Sequence, residues 1–123
     1  MNQVLLYIAS IMTSLWGFAH LLATRGVVAG FGEITTDNKR IITMEWIIEG
    51  VALISTATFV AAATAVQPEA PVSSVVYAVA IGTLVVLAIV SLFTGFKVAF
   101  LPFRLCPFIF GVSAGLIVWG AWL

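Results

Sequence analysis

Apolar residues along this chain run in long unbroken stretches rather than alternating with polar ones. Windows of about 19 residues separate four of them: Val4 to Leu22, Ile41 to Val66, Val72 to Phe96 and Leu105 to Leu123. Runs of this length without a period of two exclude barrel strands. They predict an all-α integral membrane protein, a four-transmembrane-helix bundle, because backbone groups in lipid must be satisfied within each span or within a closed barrel. Four spans of about 20 residues leave no room for a separate soluble domain, so residues 1–123 read as a single transmembrane domain.

The breaks differ in chemistry. The first, residues 23–40, carries Gly26, Gly30 and Gly32 and ends in Asp37-Asn38-Lys39-Arg40. Val27, Phe31 and Ile34 in it are spaced to line one face of a short helix at the headgroup level, with an irregular re-entrant loop as the alternative. Thr36 or Asp37 is expected to cap the second span. The second break, Gln67-Pro68-Glu69-Ala70-Pro71, is a proline-bounded turn. In the third, Pro102 and Pro107 are expected in the first turns of the last helix, where a missing backbone donor costs least.

Composition agrees with lipid as the solvent: 63% of residues are hydrophobic and 8% charged. Five Lys/Arg balanced by five Asp/Glu supply no basic footprint for a nucleic acid. Their placement is informative, since Arg25, Lys39, Arg40, Lys97 and Arg104 all fall in the first and third breaks. By the positive-inside rule the loops 23–40 and 97–104 are expected in the cytoplasm and both termini outside, in a bacterial inner or plasma membrane. A five-to-zero bias also disfavours a dual-topology exporter. Met1-Asn2-Gln3 lacks the positive region and cleavage site of a secretory signal, so the first span reads as retained. Lone Cys106 allows no internal disulfide and reads as a small buried residue.

Small residues recur at helical spacing: Ala9, Thr13 and Gly17 on the first span, Ala57, Ala61 and Ala65 on the second, Gly111 and Gly115 on the fourth. Such rows let backbones approach closely in lipid. Contacts within the chain are the expected use of Gly17, Gly111 and Gly115, with contacts between protomers as the alternative.

Candidate chemistry rests on the ionisable groups at the spans. Lys97 and Arg104 end theirs and can snorkel. The second span is about 39 Å long at 1.5 Å per residue, more than a hydrocarbon core of about 30 Å. Its inner end must therefore protrude, leaving Glu45 at the interface and Glu49 one turn deeper. Stacked four apart, these carboxylates repel, so one of them must hold a proton or find a cation. His20 lies at the same depth on the first span. A ligand or proton pocket lined by His20, Glu45 and Glu49 and closed by Arg104 or Lys97 is expected, with a purely structural staple as its competitor. No metal-ligand spacing can be read, and a single histidine disfavours haem unless two copies of His20 share one. No Ser-His-Asp arrangement or phosphate loop is present, and no catalytic residue is assigned.

Trp16-Gly17-Phe18-Ala19-His20-Leu21, then Phe31-Gly32, then Met44-Glu45-Trp46-Ile47-Ile48-Glu49-Gly50 resembles the DoxX-like group of small four-helix membrane proteins. Where that group commonly has a Gly-x-x-Lys-like end to its first span, this chain has His20. The resemblance implies a small membrane subunit, in some members tied to quinone-linked sulfur or thiol redox systems, and matches the group's glutamate to Glu45 or Glu49, with Glu49 preferred because Gly50 follows it. The expected function is an accessory or structural subunit that packs against a larger membrane complex or its own copies. The alternative is a quinone-linked redox protein or proton-coupled carrier using the His/Glu pocket, with quinone as its ligand.

Overall fold

The computed structural model describes residues 1–123 and contains four helices: α1 (Gln3–Ala29), α2 (Thr36–Val66), α3 (Pro71–Phe93) and α4 (Leu101–Trp122). All four are long and apolar enough to cross a membrane. They run alternately up and down, α1 against α2 and α4, and α3 against α4 and, less extensively, α2. The ends meet where the Asn2 N–H donates to the Gly120 carbonyl at 2.7 Å. Only 24 of 123 residues are buried, and the outside of the bundle is studded with Val, Ile, Leu and Phe. Such a surface suits hydrocarbon rather than water.

Local chemistry explains most helix ends. Asn2 caps α1, its side chain accepting from the Val4 and Leu5 amides at 3.1 and 3.4 Å. Thr35, rather than Thr36 or Asp37, caps α2 by accepting from Asn38 N–H at 3.2 Å, while Asp37 complements the positive end of the dipole. Pro71 opens α3, and Ser73 Oγ closes the preceding turn on the Gln67 carbonyl at 2.6 Å. Pro102 sits in the first turn of α4 as expected, but Pro107 lies inside the helix, because α4 begins at Leu101 and not at Leu105. Pro107 supplies no N–H to the Phe103 carbonyl.

The first break corrects the sequence reading. Residues 23–29 continue α1 without interruption, with Thr24 and Val28 buried. Val27 therefore belongs to the spanning helix, and neither a separate interfacial helix nor a re-entrant loop forms. The reversal is confined to the segment between Ala29 and Thr36. Gly32 there takes φ +71°, a left-handed conformation that glycine adopts without strain. Hydropathy falls at Leu22 while helical packing does not, since α1 and α2 cover each other beyond the apolar window. The third span, by contrast, is shorter than expected: α3 stops at Phe93, and a single 3-10 turn, Gly95–Lys97, follows.

Packing departs from the small-residue expectation on α4. Gly111 and Gly115 are exposed, and a Cβ built on either meets nothing within 4 Å. They do not mediate packing within the chain, because the buried face of α4 is the one bearing Phe110, Ser113, Ala114, Ile117 and Ala121. Gly17 does pack: its Cβ would lie 2.8 Å from the Gly50 carbonyl oxygen, and one on Gly50 would lie 3.0 Å from that of Gly17. Backbones in such contact define the crossing of α1 and α2. Ala9, Thr13 and Gly17 are all buried, whereas the second row is buried at Ala57 and exposed by Ala65. Above this crossing a twelve-residue core that includes Leu6, Leu53, Tyr77, Leu84, Phe110 and Ile117 joins all four helices.

Candidate functional site

The Gly17–Gly50 crossing sets the geometry of the site. His20 stands three residues beyond Gly17, Glu49 directly before Gly50, and Trp46 one turn earlier, so close backbones bring these side chains face to face. His20 Nε2 lies 3.4 Å from Glu49 Oε2. The imidazole stacks on the Trp46 indole, centroids 4.4 Å apart and planes 22° from parallel. Trp46 Nε1 donates to the His20 carbonyl at 2.7 Å, and Thr24 Oγ1 donates to the same oxygen at 3.0 Å. His20 is thus fixed at its backbone and its ring. From α4, Phe103 leans against Trp46 with centroids 5.5 Å apart.

Two cavities meet at this wall. The first, about 270 Å³, opens between α1 and the start of α4 and is lined by Trp16, His20, Trp46, Phe100, Phe103 and Cys106, among others. The second, about 420 Å³, lies on the α3 side and adds Glu49, Ser91 and Thr94 to the same His20, Trp46, Phe103 and Cys106. His20 borders both, and Glu49 only the second. Ser91 Oγ and Thr94 Oγ1 donate to carbonyls of their own helix, which leaves their lone pairs free to accept.

The structure brings together part of the expected set. His20 is buried at 6% exposure, and the side chain of Glu49 is 40% exposed. Glu45 is exposed on the neighbouring strip of α2 and makes no ion pair with His20. Arg104 does not close the pocket. It is exposed, with its guanidinium 5.3 Å from the centre of the Phe96 ring, because Phe103 and Cys106 take the inward positions of that turn.

Sequence reasoning missed Trp46, Phe103, Gly50 and a donor on Trp16. Trp16 Nε1 is buried without a hydrogen-bond partner. Its neighbour is the Cys106 sulfur, a weak acceptor. The sulfur satisfies the indole N–H only weakly. Hairpin register was the available signal for Trp46 and Gly50: in an antiparallel pair, residues equally far from the turn face each other, and the turn is centred near Gly32.

Chemically, the arrangement offers flat aromatic walls and an imidazole whose Nε2 faces a carboxylate. Such a pair can hold a proton at the edge of an apolar cavity. His20, Glu49 and Cys106 form no three-ligand metal cluster. Compared with families of known proteins, with curated proteins and with solved structures, the chain matches none.

Proposed function

We propose that this is an integral membrane protein that binds a flat lipophilic molecule carrying a carbonyl-type acceptor, of the quinone class, between α1, α2 and α4. The carrying observation is the cavity walled by Trp16, Trp46, Phe100 and Phe103 that has the His20 of the His20–Glu49 pair on its edge. Indole and phenyl faces of Trp16, Trp46, Phe100 and Phe103 suit a planar ring by offset or edge stacking. A ring oxygen placed among them lies beside His20, whose imidazole can donate a hydrogen bond to it while Glu49 holds the other side of the ring. The same class is what the DoxX-like resemblance implies. The charge bias supports an orientation with the Arg25 to Arg40 end in the cytoplasm.

Quenching of tryptophan fluorescence by menadione tests this in nanodiscs, on a background with Trp119 and Trp122 changed to Phe so that only Trp16 and Trp46 report. Saturable quenching is expected. Ala19→Phe, which fills the cavity, should abolish it, and Glu49→Gln should weaken it about tenfold, as loss of a charge-assisted partner does. Quenching that never saturates, or that ignores Ala19→Phe, refutes the reading.

A second reading, an accessory subunit, is favoured by the open Gly111 and Gly115 face of α4, which another membrane helix can approach closely. A Gly115→Cys variant should then crosslink to a distinct protein in native membranes, and a chain that stays solitary argues against it.

A further inference from the structure

The larger cavity at the His20 wall, about 420 Å³ between α2, α3 and α4, takes no ligand in the quinone-class reading. Its lining contains one carboxylate, Glu49, and no Lys or Arg. Glu49 has a single ion-pair partner, His20 at 3.4 Å, and 40% of its side chain stays exposed. Lys97 and Arg104, the cations near the α3–α4 connection, are both exposed, and Arg104 keeps its guanidinium 5.3 Å from the centre of the Phe96 ring. The negative charge in this lining therefore comes from a residue of the lining itself, and no cation of the connection reaches it.

The oxygens around Glu49 present lone pairs to the cavity rather than donors. Ser91 Oγ and Thr94 Oγ1 donate to the Leu87 and Val90 carbonyls at 2.7 and 2.6 Å, so their hydrogens point back along α3. The helix ends here, and its C-cap Thr94 returns no backbone N–H to the last turn, unlike the C-caps of α1, α2 and α4. An open C-terminus carries the negative end of the helix dipole. The Phe103 carbonyl, which Pro107 leaves without a donor, stands 3.4 Å from where a Cβ on Gly95 would lie, and Phe103 and Gly95 both border the cavity. Rings of Trp46, Phe103 and Phe110 supply the apolar wall. A carboxylate among aromatic rings attracts a cation whose charge is spread over carbon, and a space of this size is that of a small-molecule site rather than of a bare ion.

We infer that this cavity binds an organic ammonium, a tertiary or quaternary amine carrying an apolar group, with its charge at Glu49 and the end of α3 and its apolar part against Trp46, Phe103 and Phe110. The site lies across His20 from the quinone-class cavity, and nothing in its lining depends on that reading. Ser91 borders only this cavity and Ala19 only the other, so each can be filled separately.

The experiment is isothermal titration calorimetry of benzyltrimethylammonium into the full chain in zwitterionic nanodiscs, with empty nanodiscs as the blank. The wild type should bind one equivalent saturably, and benzyl alcohol, which keeps the ring without the charge, should show no saturable site. Glu49→Gln should weaken binding about tenfold or more, as loss of a charged partner does, and Glu49→Asp should restore most of it. Ser91→Leu should abolish ammonium binding and leave menadione quenching intact, while Ala19→Phe should do the reverse. A wild type that does not saturate overturns the inference, as does equal affinity for benzyl alcohol or undiminished binding by folded E49Q or S91L. Loss of ammonium binding in folded A19F places the ligand in the other cavity and overturns it too. So does loss of binding in sodium chloride that lithium chloride of the same ionic strength does not cause, because an inorganic ion then fills the site. Should S91L fail to fold, the contrast between E49Q and E49D decides.

Discussion

Two contacts join polar side chains of different helices, one toward each end of the bundle, and they are built differently. Toward the end with the termini, Thr64 Oγ1 and Tyr77 OH lie 3.1 Å apart, both residues at 2% exposure or less. Thr64 also donates to the Val60 carbonyl at 2.7 Å, and the Trp122 ring meets Tyr77 edge-on with centroids 6.4 Å apart. Every group is neutral and satisfied. Toward the other end, His20 and Glu49 can carry charge, one of them is 40% exposed, and they border two cavities. A closed neutral contact fastens α2 to α3. An open ionisable one beside empty volume costs stability unless something uses it, which is why function is placed at that end.

The comparison breaks most severely at the helix crossing beneath the open pair. Gly17→Val drives a side chain into the Gly50 carbonyl and should cost about 3 kcal/mol in unfolding, the upper range for overpacking, and abolish menadione quenching with it. Trp46→Phe keeps a ring against His20 but withdraws the donor from its carbonyl. It should cost about 1 kcal/mol, because Thr24 still donates there. Tyr77→Phe should cost about the same through loss of one neutral hydrogen bond, yet leave quenching untouched, which separates fastening from binding.

Glu49→Gln sharpens the contrast from the other side. With its carboxylate 40% exposed, the pair is screened, and the stability loss should stay within about 1 kcal/mol although probe affinity falls about tenfold. A large fall in stability with unchanged affinity would make the open pair a fastener like its counterpart. The smallest effect belongs to Gly111→Leu, expected within about 0.5 kcal/mol, since nothing lies within 4 Å of its Cβ. Loss of a co-purifying protein in that variant would instead support the accessory reading.

Four helices were legible because each is long and apolar enough to cross a membrane whichever face it packs. Helix ends were less legible where hydropathy and helicity part company. Residues 23–29 are polar enough to leave the window and yet remain helical, because Thr24 and Val28 are buried against neighbours. The pairing of His20 with Glu49 followed from their common depth and lies at contact distance. Arg104 did not follow, since depth fixes height along a helix and not the direction a side chain takes. Gly111 and Gly115 show the same limit: spacing marks a smooth strip, and only the helix's rotation decides which way it faces. Gly50, which sits against Gly17, belongs to no row on its own helix and is visible only from the hairpin's register.

Gly120 carries a consequence for how the bundle is assembled. A Cβ there would lie 2.9 Å from both the Asn2 carbonyl oxygen and Leu6 Cγ, so the first turn of α1 is seated by the last turn of α4. During synthesis the α1–α2 hairpin can close as soon as Val66 has been made, but the N-terminal edge of α1 waits for nearly the whole chain. Closure of the ring is therefore a late event, joining segments that are distant in sequence and adjacent in space. Because the two ends of the chain already touch, a permuted chain that links them through a short spacer and opens between Gln67 and Ala70 keeps every helix contact. It also replaces an encounter between segments distant in sequence with a local one.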